Sequence, residues 1–340
     1  MALIFLLDLL AEGLGINGHV TAHRAPPCCF VWVFDREAAP SGTERRLDVL
    51  PMREMCQRAT RAGGIPGADP DMNNETQGHV PPPILENKHH AAPAVFRPEN
   101  LLREARRQRR LPNLPVPEVC ILDPDGDIMR ALRADGRGQN LPGWACYHTE
   151  MLTFDLAGER VGLVGCAVGA PFAVLVAEQM FASGCRLLIS ITSAGRIAAN
   201  LPEEAFFVLI DKALRDEGTS YHYAAAAEYS EADPHLVADA AHALKTKGMN
   251  AITGSSWTTD APFRETEEAI EAARSKGILA VEMEAAALYA FARAMNKNVL
   301  CIAHVTNTMA ISEQDFEKGE ADGTVDALRV LEAIVAGCRP

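Results

Sequence analysis

The stretch VGCAVGAPFAVLVAEQMFASGCRLLISITSAG (164–195) decides the fold. The run RVGLVGCAV (160–168) is apolar and ends at Gly169, as a buried strand does. APFAVLVAEQMFASG (170–184) then spaces its apolar residues with helical periodicity and stops at Gly184. CRLLISI (185–191) is a second buried strand, followed by the small residues Thr192, Ser193, Ala194 and Gly195. A strand, a helix and a strand in this order belong to an alternating α/β pattern.

The same alternation extends outward. EVCILD (118–123), AFFVLIDKAL (205–214), NAITGSSW (250–257) and NVLCIAHVTN (298–307) read as strands. DPHLVADAAHALKTKG (233–248) reads as a helix capped by Asp233 and ended by Gly248. AVEMEAAALYAFARAMN (280–296) begins extended and becomes helical, and TVDALRVLEAIVAGC (324–338) is an amphipathic terminal helix. The expected class is α/β, a twisted sheet flanked by helices. Ligands of such sheets sit at the carboxyl ends of strands, where Thr192–Gly195, 216–223 and Asn307 fall.

Upstream of residue 116 the chain changes character. The segment GGIPGADPDMNNETQGHVPPP (63–83) cannot bury enough apolar surface to offset its ordering entropy. Residues 1–95 are therefore expected to be disordered or to form an extension outside the domain, 96–115 a basic helix and linker, and 116–340 the domain. Five arginines between Arg103 and Arg110 read as a solvated helix face.

The 340 residues carry a net charge of -13, which argues against a nucleic-acid partner, because neutralising phosphates takes an excess of Lys and Arg. The first ten residues are too short to span a bilayer and make a poor signal peptide. The nine cysteines show no metal-ligand spacing, so no metal is expected, and most lie in apolar runs. A cytoplasmic protein without a membrane partner is the expectation.

VEMEAAALYA (281–290) is the sharpest chemical feature. In an extended start, Glu282 and Glu284 point one way and Met283 the other. A carboxylate accepts bonds from two neighbouring hydroxyls, as on a ribose. An acidic first helical turn, favoured by the helix dipole, explains the pair equally well.

VEMEAAALYA is similar to the ribose-binding signature of the uridine and purine nucleoside phosphorylase family. Other stretches resemble that family in the same order: 164–195 its glycine-rich turn through its phosphate loop, RDEGTSYHYA (215–224) its base pocket, TTDAPFRE (258–265) its T-[ST]-D-x-[FY] loop, and HVTN (304–307) the end of its last active-site strand. The resemblance implies a phosphorylase-like fold with a mixed central sheet, and a homo-oligomer, a dimer or a hexamer of dimers. It implies a nucleoside substrate with phosphate as co-substrate and no cofactor. By position, Glu284 would act catalytically on the ribose hydroxyls, Met283 would pack under the sugar, and Glu282 would support the site. Thr192, Ser193, Ala194 and Gly195 would line the sugar and base, Ser193 also reaching phosphate. Tyr223 would stack on the base or sugar, Phe263 and Arg264 would close over the base, and Asn307 would lie beside it.

Three departures accompany the resemblance. The family's early phosphate loop, G-D-P-x-R, is LDPDGDIMR (122–130) here, with Gly126 in place of the arginine. Two further phosphate arginines match Ser190 and Thr153, leaving Arg196 and Arg130 as substitutes. An aspartate that purine-cleaving relatives place in the last strand is Asn307, which leans away from purines. The implied reaction is uridine-phosphorylase-like, with a nucleosidase using water, or a non-catalytic nucleoside-binding protein, as alternatives.

Overall fold

In the computed structural model the described residues are 20–23, 31–34, 81–198, 201, 206–249, 251–307, 318 and 321–338. Most of the expected extension lies outside them. Met1–Thr76 and Gln77–Pro340 are separate units. The described part of the first is an antiparallel pair, β1 (Val20–His23) with β2 (Val31–Phe34).

Residues 81–95, expected outside the domain, belong to the second unit. Ile84 lies so close over Gly218 that a Cβ there would stand 3.2 Å from its Cδ1. His90 Nε2 donates to the Tyr221 carbonyl at 3.1 Å, and Lys88 Nζ to His222 Nδ1 at 3.3 Å. A Pro-rich segment builds no core of its own, but single side chains can dock on a surface already formed. Helix α1 (Pro98–Arg109) follows, burying Leu102 and Ala105 and leaving Arg103 and Arg107 outside, paired with Glu104.

The sheet of the second unit holds β3 (Val119–Asp123), β4 (Gln139–Asn140), β5 (Leu152–Leu156), β6 (Glu159–Gly165), β7 (Leu187–Arg196), β8 (Phe206–Asp216), β9 (Tyr229–Glu231), β10 (Ala251–Thr259), β11 (Ala280–Glu282) and β12 (Asn298–Asn307). Its order is β11-β10-β8-β12-β7-β3-β6-β5-β4, with β9 on β8. Parallel pairs at its centre and antiparallel pairs at β5–β6 and β8–β12 make it mixed, as expected. Strand β11 also pairs antiparallel with the end of β7, Val281 opposite Gly195, so β7, β12, β8, β10 and β11 close on themselves.

The helices are α2 (Asp127–Ala134), α3 (Ala170–Ala182), α4 (Pro234–Thr246), α5 (Glu267–Ser275), α6 (Ala285–Met295) and α7 (Thr324–Gly337). Along β12, Val299, Cys301, Ala303 and Val305 join one core with α3 and α6. Leu300 and Ile302 join another with α2, α4 and α7. Alternate residues thus face two covered sides, which is why the central strands read as unbroken apolar runs.

Candidate functional site

Four chain segments meet at the carboxyl ends of β3, β7 and β11 and the start of α3. The sequence folds β11 into α6 through Glu282, a buried acid whose Oε1 accepts from Ser256 Oγ at 2.9 Å and Thr258 Oγ1 at 2.5 Å. Its Oε2 accepts the Glu284 and Ala285 N–H groups, both at 2.7 Å. Four donors are thus spent on one carboxylate. Burial still pushes it above the usual carboxylate range, against these bonds.

Glu284 is held by that turn. It is 1% exposed, and its Oε1 accepts the Gly169 N–H at 2.7 Å. Gly169 starts α3 with φ of +92°, a conformation other residues rarely adopt. Glu284 Oε2 is buried with no hydrogen-bond partner among the described residues. Burial, then the charge of Glu282, pushes Glu284 up to about 8, the Gly169 bond opposing and Asp125 adding to the rise. A buried acceptor without a donor calls for an explanation, and hydroxyls of a ligand supply one.

The β3–α2 loop uses the same device. Asp123 is buried and accepts Gly126 N–H at 3.1 Å and Met129 N–H at 2.9 Å, which folds the loop. Burial is the main cause that pushes it up to about 7. Gly126 has φ of +78°, and a Cβ there would stand 2.4 Å from Cys166 Sγ. An arginine could not replace it without moving the loop, which explains one departure.

Asp125, two residues on, turns its Oδ2 onto the Ser193 N–H at 2.7 Å. Lys318 Nζ donates to Asp127 Oδ2 at 2.6 Å and stands 3.8 Å from Asp125 Oδ2. These residues, with Asp123, Asp322 and His304, line one small cavity. His304 stacks on Phe207 at 4.3 Å between centroids, and burial pushes it down to about 4.

Several expected site residues meet here. Thr192, Ser193, Ala194 and Gly195 are not a loop but the last part of β7, laddered to β12 and, at Gly195, to β11. Pairing with β12 holds them extended, and at Gly195 the other edge of the strand also finds a partner in β11. Met283 is half-buried between the two acids, and Asn307 ends β12 opposite Gly195. The base-pocket segment and the TTDAPFRE loop are tied by the Gly218 N–H on Asp260 Oδ2 at 2.8 Å and by Trp257 Nε1 on Asp216 Oδ2 at 3.0 Å. Phe263 is 99% exposed and Arg264 is exposed beside it.

Other expected site residues have protein partners. The Tyr223 ring meets Phe291 edge-on at 5.7 Å, and its hydroxyl donates to Glu178 Oε1 at 3.1 Å. Packing against α3 and α6 gives this amphipathic side chain both an apolar body contact and a polar partner. The two substitute phosphate cations have protein partners. Arg130 pairs with Asp127 and donates to the Asp125 carbonyl at 3.1 Å. Arg196 lies over the Phe206 ring at 5.5 Å and donates to the Leu201 carbonyl at 3.3 Å. Thr153 is buried on β5, bonded by Arg160 Nη2 at 2.6 Å, and Ser190 is buried on β7.

Sequence reasoning passed over Asp125, Lys318 and the Gly169 N–H. The acids of LDPDGD were a visible signal for the first, and the glycine before the α3 helix for the third. Lys318 stands 191 residues from its partner Asp127 and gave none. Among the described residues no cluster of His, Cys, Asp and Glu could hold a metal ion, and no helix is long and apolar enough to cross a membrane.

Known proteins resemble this chain in sequence or in fold. DeoD-type purine nucleoside phosphorylase of Psychromonas ingrahamii is 28% identical over 186 residues, 53% of this chain and 77% of that protein. The DeoD-type enzyme of Streptococcus thermophilus is 26% identical over 187 residues, 53% of this chain and 84% of its own. Uridine phosphorylase of Vibrio fischeri ES114 superposes with a TM-score of 0.55 at 19% identity, covering 68% of this chain and 95% of that one. A 5′-methylthioadenosine/S-adenosylhomocysteine nucleosidase from Neisseria meningitidis superposes with a TM-score of 0.53 at 19% identity, covering 65% and 99%. These two solved structures share the fold. With the sequence model of the phosphorylase superfamily matching residues 118–336, the chain belongs to that superfamily of phosphorylases and nucleosidases.

Proposed function

We propose that this chain cleaves the N-glycosidic bond of a nucleoside with water, the nucleosidase reaction, in preference to phosphorolysis. The observation that carries the reading is the Asp125 carboxylate on the Ser193 N–H. The family resemblance assigns that donor to phosphate, and an internal anion already holds it. A phosphate dianion would also face Asp123 and Asp127, and carboxylates around an anion oppose its binding. Arg130 already pairs with Asp127 and donates to the Asp125 carbonyl, and Arg196 donates to the Leu201 carbonyl, so both cations have protein partners.

Water suits the same geometry. Breaking the ribosyl C–N bond develops positive charge on the sugar, which Asp125 and Glu284 stabilise from its edge. Glu284 Oε2 accepts the ribose hydroxyls and fixes the ring. Asp125 takes a proton from the attacking water as its oxygen bonds the anomeric carbon. The base leaves with the bonding electrons and gains a proton, so nucleoside and water become base and ribose. Phe263 and Arg264 close over the base. The reaction needs no cofactor, and positioning with electrostatics accounts for it.

The test is a panel of purine and pyrimidine nucleosides, with and without inorganic phosphate, in water enriched in oxygen-18. Free base and labelled ribose without phosphate are expected. Ribose 1-phosphate as the sole product, formed only when phosphate is present, overturns the reading.

A further inference from the structure

The acid-lined cavity contains a cation that neither the motif nor the family positions account for. Lys318 is largely buried, its side chain 15% exposed, and its ammonium lies between Asp127 and Asp125. A buried ammonium is expelled or deprotonated unless acids surround it, so this placement is specific. Its hydrogen bond goes to Asp127 Oδ2 at 2.6 Å, while Asp125 Oδ2 is 3.8 Å away. Asp125 therefore feels the charge without giving up an acceptor position, and that oxygen stays on the Ser193 N–H.

We infer that Lys318 is a positioning residue that keeps Asp125 ionised and turned toward the water it activates. This rests on the hydrolytic reading. The groups around Asp125 show why a counter-ion is needed. Asp123 faces it from β3, Asp127 and Arg130 from α2, and Glu284 from the start of α6. His304 faces the cavity from β12, and Asp322 from the turn before α7, while Asp326 on α7 acts on His304. Carboxylates outnumber cations, and buried acids in such company hold protons: Asp123 is pushed up to about 7 and Glu284 to about 8, burial first in each. A fixed ammonium decides which carboxylate stays charged. A proton on Asp125 instead would remove the acceptor for the water proton.

The experiment uses the full chain with Lys318→Met, which keeps the apolar stem, Lys318→Gln, which keeps a donor for Asp127, and Lys318→Arg, which keeps the charge. Two readouts are taken: the carbon-13 titration of the Asp125 carboxyl, assigned with Asp125→Asn, and the pH profile of kcat for base release. In Lys318→Met and Lys318→Gln the Asp125 titration and the acid limb of kcat move up by about one pH unit. The rate on that limb falls about tenfold, with the nucleoside KM unchanged. Lys318→Arg leaves both in place. A titration and limb that stay put in the neutral variants, or a loss confined to KM, overturn the assignment. Ribose 1-phosphate as the sole wild-type product overturns the hydrolytic reading instead, and an unmoved Asp125 titration overturns the Lys318 assignment whichever product forms.

Discussion

The β11–α6 junction and the β3–α2 loop solve one folding problem with different consequences. In each, an acid at the end of a strand accepts the N–H groups of the next turn: Glu282 those of Glu284 and Ala285, Asp123 those of Gly126 and Met129. In each, the acid two residues on reaches an N–H of another segment, Glu284 that of Gly169 and Asp125 that of Ser193. Glu284 arrives with one oxygen unpartnered among the described residues. Asp125 arrives on a protein donor, the Ser193 N–H. The first junction leaves an acceptor for a ligand hydroxyl, and the second occupies the donor that a ligand anion would use. On the proposed hydrolytic reading, identical acid spacing prepares one end of the site for a sugar and sets a carboxylate where a phosphate would bind.

The sharpest way to break this comparison is Asp125→Asn. The amide keeps the shape and an oxygen for Ser193 but takes up no proton from water. Base release without phosphate is expected to fall by about a thousandfold, within the usual range for a general base. Circular dichroism and thermal melting should change little, since Asp123 and not Asp125 folds the loop. Retained water-dependent release would show that the two loops differ only in appearance.

Exchanging the partners at the other junction separates structure from chemistry. Glu284→Gln replaces a charged acceptor with a weaker one, and kcat should fall on the order of 100-fold in a folded protein. Glu282→Gln turns an amide NH₂ toward groups that donate, leaving buried donors unpaired. It should cost about 2–4 kcal/mol of stability, lowering Tm by on the order of 10 °C. Thermal melts and steady-state kinetics on both variants decide the matter. Equal Tm losses, or a Glu282→Gln protein that melts like wild type with poor turnover, would erase the distinction between the two acids.

The sequence exposed some of this and concealed the rest for physical reasons. Strands β3 and β7 are covered on both faces, so Val119–Asp123 and Leu187–Ile191 are near-continuous apolar runs. Strand β5 does alternate, Leu152, Phe154 and Leu156 with Thr153 and Asp155, but over five residues only, and β11 has three residues and no periodic signal of its own. The VEMEA signature located Glu284, but its spacing could not tell a capping acid from a ligand acceptor. Only the count of donors around Glu282 does so. The same limit applies to Tyr223, whose position in a motif gives no direction for its ring. Missing arginines at Gly126, Ser190 and Thr153 were visible in the sequence. The contact of Asp125 with the Ser193 N–H was not, because it depends on the closed β7 end.

The smallest effect tests whether Glu284 Oε2 meets the sugar. Glu284 is pushed up to about 8, mainly by burial and then by Glu282, so at neutral pH the empty site holds its proton. Ribose hydroxyls donating to Oε2 favour the carboxylate and lower that value in the complex. Nucleoside binding below pH 8 then releases a proton, and affinity rises with pH by at most about tenfold per unit before levelling above 8. The empty protein should show the opposite trend. A carboxyl raised in the folded state above its ordinary 4.5 contributes stability that is fully present below 4.5 and is lost as pH rises through 8. His304, pushed down to about 4, acts in the other sense, but its loss comes as pH falls below its ordinary 6.5. Between 6.5 and 8 the falling Tm belongs to Glu284, with Asp123 and Glu265, both pushed up to about 7, adding at the lower end. Asp123 spends its oxygens on Gly126 and Met129, so a ligand does not change its protonation. Calorimetry with a non-cleavable nucleoside analogue, in buffers of different ionisation enthalpy, counts the protons released. Glu284→Gln should abolish the release and the pH dependence of affinity, leaving in Tm only the smaller fall due to Asp123 and Glu265. Affinity independent of pH from 6.5 to 8, or proton uptake on binding, would mean that the open oxygen does not receive the ribose.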